Sequence, residues 1–228
     1  MPELLVSVRN VSEARIAAAN GAAIIDIKEP SAGSLGAAAP TVWRQVVQQI
    51  ASPMRVSIAL GELADTALES RIACLPAVGF AKVGLANCAH DSKWPQRWQA
   101  VLQELPDTTE PVAVVYADWL QTQAPPPDEV VSHAAQWGCS TLLVDTGNKH
   151  GGWLLEHLPY RSLAKLIASA RQQRMRIALA GSIRPEHLPI LAPLHADIIA
   201  VRGAVCSGSR TSSIDAARVR AMADMLCG

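Results

Sequence analysis

Apolar residues along this chain fall into short runs, and the stretches between the runs alternate apolar and polar positions at helical spacing. Eight runs read as strands: residues 4–8 ("LLVSV"), 23–28 ("AIIDIK"), 55–60 ("RVSIAL"), 80–85 ("FAKVGL"), 112–117 ("VAVVYA"), 141–146 ("TLLVDT"), 176–181 ("RIALAG") and 197–203 ("DIIAVRG"). The intervening "VSEARIAAANGA" reads as a helix that Ser12 caps and Gly21 ends, and "SLAKLIASARQQR" as another. The prolines at 125–127 open a further helix. Strand followed by helix, eight times over, places the strands parallel with the helices outside. Eight such units in roughly 200 to 250 residues predict an α/β fold of the (β/α)8 TIM-barrel type, as one domain over residues 1–228. The competing architecture is a doubly wound open sheet, but "LLVSVRNVSEA" carries no glycine where a dinucleotide-binding turn would follow the first strand.

Composition narrows the function. With 20 basic and 20 acidic residues the chain is neutral, and it has no basic patch of the kind that marks nucleic-acid or anionic-lipid binding. Its five cysteines are widely spaced without a Cys-x-x-Cys pair, which speaks against a disulfide framework or a cysteine zinc site and for a reducing, cytoplasmic setting. No segment approaches the ~18 apolar residues of a membrane helix. The histidines show no ligand spacing, so no metal is expected. A small-molecule substrate is the expected partner, with neither nucleic acid nor membrane; a homo-oligomer is left open.

Only five of the basic residues are lysine, and three of those stand at strands. Lys28 closes "IIDIK" with Asp26 on the same face, Lys82 interrupts the apolar "FAKVGL" beside Gly84, and Lys149 follows Asp145 by four residues in "VDTGNK". Lys93 and Lys165 fall in helical segments and read as solvated charge. Desolvating a charge costs several kcal/mol, so three amines and two carboxylates at one barrel mouth are better explained by chemistry than by stability. A lysine attacks a carbonyl only as the free amine, and its reference pKa of about 10.4 must fall toward 7 for that, which an apolar wall and neighbouring cations achieve. One lysine is then a Schiff-base nucleophile while amines paired with Asp stay charged; the pattern alone does not assign the roles. Gly181 and Ser182 after the seventh strand, and Arg202 and Gly203 after the eighth, form turns where barrels commonly bind phosphate. Asp118, ending "VVYAD", is a secondary candidate for proton transfer or a loop-capping residue.

Taken together, "IIDIKEP", "GSLGA", "AKVGL", "VDTGNK", "ALAGSI" and "VRGA", in this order across essentially the whole chain, resemble the (5-formylfuran-3-yl)methyl phosphate synthase family. The resemblance implies a (β/α)8 barrel that condenses two molecules of glyceraldehyde 3-phosphate into a furan aldehyde phosphate, the precursor of methanofuran-type one-carbon cofactors. It implies Lys28 as the Schiff-base lysine, Asp26, Lys82, Asp145 and Lys149 as its catalytic companions, triose phosphate as substrate, and no cofactor. The chain departs from the family at His150, where members often carry an acid, and in a compact "CSGSR" loop. Another Schiff-base triose-phosphate aldolase, or a barrel that binds a phosphometabolite without turning it over, are the alternatives.

Overall fold

A computed structural model describes residues 1–50 and 53–227; Ala51, Ser52 and Gly228, which the one-domain expectation also spans, lie outside the described residues. The strands are β1 (Glu3–Val8), β2 (Ile24–Ile27), β3 (Arg55–Glu62), β4 (Phe80–Gly84), β5 (Glu110–Tyr116), β6 (Thr141–Asp145), β7 (Arg176–Leu179) and β8 (Ile198–Val201). Each pairs in parallel with the next, and β8 returns to β1, closing an eight-stranded barrel. The helices that return the chain are α1 (Val11–Ala19), α2 (Pro40–Gln49), α3 (Leu68–Ile72), α4 (Trp94–Gln103), α5 (Pro127–Gln136), α6 (Leu154–His157), α7 (Tyr160–Gln172), α8 (Leu188–Leu191) and α9 (Ala216–Cys227).

Every predicted strand is present, with ends displaced by one or two residues. Lys28 is the first residue past β2, and Gly181, Arg202 and Gly203 lie beyond their strands. One helix start differs: α1 begins at Val11, and Asn10 rather than Ser12 caps it, its side chain accepting the Glu13 N–H at 3.0 Å. Asn10 leaves β1 in extended backbone, as an N-cap must, whereas Ser12 is already helical. The proline-opened helix is α5, with Pro127 in its first turn.

Strand alternation divides the core in two. Outward-facing residues such as Val6, Ile25, Ile58, Val115 and Val144 pack with the helices in the larger cluster. Inward-facing Leu5, Ile24, Ala59, Phe80, Val112, Val114, Leu143, Ala178 and Ile198 fill the barrel axis. The apolar plug therefore fills the N-terminal part of the barrel; Ser57 and Lys82 are buried polar residues next to it, and Ser7, Asp26 and Asp145 lie toward the C-terminal ends of their strands. A register shift between Ala59 and Glu62 against β4 bulges β3, with Gly61 in the left-handed region at φ 98°. None of the described helices is long and apolar enough to cross a membrane.

Candidate active site

A cavity of about 550 Å³ opens at the C-terminal end of the barrel, and Asp26, Lys28, Lys82, Asp145 and Lys149 all line it. Its size suits a small phosphorylated ligand. Alternation on β2 points Asp26 and Lys28 to the interior, and Lys82 arrives from β4 opposite Asp26. Lys82 and Asp26 form a fully buried ion pair. Its remaining hydrogen-bonding needs are met by two serines: Ser7 donates to Asp26 at 2.9 Å, and Lys82 donates to the Ser57 hydroxyl at 2.9 Å. Burial pushes the Asp26 carboxyl up, but the charges of Lys82 and Lys28 outweigh it and hold the group below the usual carboxylate range.

Lys28 forms no ion pair with a carboxylate among the described residues. Its Nζ, 7% exposed as a residue, donates to the Ser34 carbonyl at 3.2 Å. Burial lowers its pKa to about 8; Asp145 and Asp26 act against that shift, and the charges of Lys149 and Lys82 reinforce it. Asp145, at the end of β6, accepts from Lys149 Nζ at 2.5 Å, from its neighbour's N–H at 2.8 Å and from the Ser34 hydroxyl at 2.9 Å. Burial again works to raise this carboxyl, and the two ammonium charges and the hydrogen bonds hold it low. One short loop after β2 thus holds Lys28 by the Ser34 carbonyl and Asp145 by the Ser34 hydroxyl.

The loops after β7 and β8 form another part of the wall, lined with backbone donors. The N–H groups of Gly181, Ser182, Gly203 and Ala204 all belong to residues lining the cavity, and no acceptor for them occurs among the described residues. Gly181 at φ 98° and Ser182 at φ 53° are consecutive left-handed residues, and a Cβ on Gly181 would press on Thr146 and Leu154.

Arg202 and Asp118 are engaged in structural contacts, for Asp118 the loop-capping alternative. Arg202 is 5% exposed and its guanidinium is already committed: it donates to Glu13 and Ser7 O at 2.9 and 2.8 Å, to Arg210 O at 2.6 Å and to Ser212 O at 3.0 Å. Asp118 does not line the cavity; its two oxygens accept the N–H groups of Gly147 and Asn148 at 2.7 Å each, clamping the turn that carries Lys149. Gly84 also has a different use. The space of its missing side chain is taken by the Glu62 carboxylate and the Tyr116 hydroxyl, which bond to each other at 2.6 Å, rather than being left beside Lys82.

Sequence reasoning passed over Ser7, Ser57, Ser34, Glu13 and Arg210. A signal existed for the first two, each a lone hydroxyl at an inward position of an apolar strand, "LLVSV" and "RVSIAL". Glu13 and Arg210 gave none, since Glu13 reads as one face of a helix and Arg210 as a loop charge.

Comparison with known proteins agrees with this geometry. The solved phosphoribosylanthranilate isomerase of Thermotoga maritima superposes over 100% of both chains with a TM-score of 0.64 at 12% identity, and that of Thermus thermophilus over 99% of this chain and 98% of its own with 0.63 at 16%. These likenesses establish the barrel fold. At the level of sequence, the (5-formylfuran-3-yl)methyl phosphate synthase of Methanopyrus kandleri is 35% identical over 99% of each chain, and that of Methanocaldococcus jannaschii 34% identical over 90% of each. The family profile described as 4-HFC-P synthase matches residues 4–223. A barrel with three lysines at its mouth, matched along nearly its whole length, belongs to the 4-HFC-P synthase family of enzymes.

Proposed function

We propose that this protein condenses two molecules of glyceraldehyde 3-phosphate into (5-formylfuran-3-yl)methyl phosphate through a Schiff base on Lys28, with loss of one phosphate and water, working in the cytoplasm as a step toward a methanofuran-type cofactor. The observation that carries the reading is the Lys28 amine: buried, without a carboxylate partner among the described residues, and lowered to about pKa 8 inside a cavity that also holds two ammonium–carboxylate pairs.

The geometry supports one division of labour. Lys28 attacks the carbonyl of one triose phosphate, and loss of water gives an imine whose protonated form acidifies the adjacent carbon. Lys149 and Asp145, 2.5 Å apart, sit in the same cavity and serve as the acid and base that form the carbinolamine and take the carbon-bound proton. The enamine adds to the aldehyde of the second triose. Lys82, paired with Asp26, stabilises the alkoxide that forms and later returns protons during phosphate elimination, cyclisation and dehydration. The backbone N–H groups of Gly181, Ser182, Gly203 and Ala204 receive a phosphate. Arg202 contributes by shaping the loop after β8.

Mass analysis of the product formed from glyceraldehyde 3-phosphate alone tests the reaction. An ordinary aldolase would return a product that keeps both phosphates and no conjugated aldehyde, and a binding protein would return the substrate. Borohydride added during turnover is expected to attach the triose to Lys28, and normal turnover by Lys28→Ala would sink the assignment.

A further inference from the structure

The backbone cradle between β7 and β8 accounts for one phosphate, yet the proposed reaction brings two into the cavity. Its lining residues include seven cationic side chains (Lys28, Lys82, Lys149, Arg184, Arg202, Arg210, Arg218) and three carboxylates, Asp26, Asp145 and Glu186. Most of the cations are engaged. Lys82 and Lys149 are paired with aspartates, Arg202 with Glu13, Arg184 loosely with Glu186, and Lys28 is the nucleophile. The guanidinium groups of Arg210 and Arg218 form no ion pair with a carboxylate among the described residues. Of these, Arg218, in the first turn of α9, donates to the Cys206 carbonyl. Arg210 extends across the mouth and donates to the carbonyls of Pro30 at 2.8 Å and Gly33 at 3.2 Å, in the loop that follows Lys28. Two of its five N–H donors are used, and three remain with the full charge.

The loop carrying Arg210 is held from behind. Arg202 takes the carbonyls of Arg210 and Ser212, and Arg9 takes that of Thr211. Both guanidiniums pair with the same buried carboxylate, Glu13, at 2.9 and 2.6 Å. Three successive carbonyls are therefore drawn toward one anchored group. The backbone of residues 210–212 is tied down there, and the Arg210 side chain reaches from it to the loop after β2. A buried, saturated arginine cannot also grip a ligand, but it can fix one that does.

We propose that Arg210 is the cation that binds the phosphate of the second substrate molecule, at a subsite on the β8–β2 side of the mouth distinct from the backbone cradle, with Arg202, Glu13 and Arg9 as its positioning residues. This rests on the reading of the substrate as a pair of phosphorylated aldehydes. A guanidinium suits the task because its planar fork matches two phosphate oxygens at once.

Calorimetric titration of the whole protein with inorganic phosphate tests the subsite without reference to turnover. Two ions per chain are expected for the parent and one for Arg210→Ala, with Arg210→Lys retaining the second ion at least ten-fold more weakly. A single ion in the parent, or two unchanged ions in Arg210→Ala, overturns the proposal. A second measurement separates phosphate recognition from a mere strap between loops: the ratio of borohydride-trapping rates for glyceraldehyde 3-phosphate over glyceraldehyde. That ratio is expected to fall at least ten-fold in Arg210→Ala. A strap would slow both aldehydes in proportion, and an unchanged ratio rejects the assignment. Two phosphate ions in a protein that makes no furan would leave the subsite standing while removing the reaction.

Discussion

The chemistry proposed here turns on Lys28, and the environment of that amine sets a measurable profile. A lysine at the reference value of 10.5 leaves about one amine in three thousand free at pH 7, whereas one at about 8 leaves about one in ten. Because the neutral amine is the nucleophile and forms as pH rises, the rate of adduct formation with triose phosphate is expected to climb about ten-fold per unit below pH 8 and to level off above it. A profile still climbing at pH 10 would contradict the assignment. The same burial has a thermodynamic side. Holding an ammonium in a site that depresses it this far costs on the order of 3 kcal/mol at neutral pH. Lys28→Met, apolar and of similar length, is therefore expected to abolish turnover and to melt no lower than the parent at pH 7. A fall of more than about 5 °C would mean that the amine serves stability instead.

At the scale of elements, function depends on turns held by residues that never meet the cavity. Asp118 grips two successive N–H groups of the turn after β6, so Lys149 is placed from β5. Asp118→Asn keeps one acceptor oxygen and sets an amide donor against the other N–H, a loss of about 1–3 kcal/mol in local order. Turnover is expected to drop on the order of ten-fold, with faster hydrogen exchange at Gly147 and Asn148. Unchanged exchange would show that the clamp is dispensable. This dependence also explains what could be read from the chain and what could not. The eight strands were legible because a buried strand is a local apolar run, and Lys28, Lys82 and Lys149 because an amine at such a run is a local anomaly. Strand ends were displaced, as at Lys28 and Gly181, because the last ladder bond depends on the neighbouring strand. Arg202 read as a phosphate ligand because its partner, Glu13, lies 189 residues away and carries no mark of the pairing.

The whole molecule is neutral, yet its cavity is cationic, so the charge that faces substrate is balanced elsewhere on the surface. Such a field draws anions in and is screened by salt beyond about 10 Å at 0.1 M. The KM for triose phosphate is expected to rise several-fold between low and half-molar salt with kcat nearly constant; an equal fall in both would place the cations in the chemical step. The neutral total also means that non-specific attraction to nucleic acid contributes little to where this protein resides. A final consequence concerns biogenesis. Glu13 follows the first strand and Arg202 the last, so the ion pair that anchors the mouth forms only when the ring closes. An unfinished chain has no cavity, so its Lys28 amine lacks the burial that lowers it to about 8, and the joint that finishes the barrel also completes the surroundings of that amine.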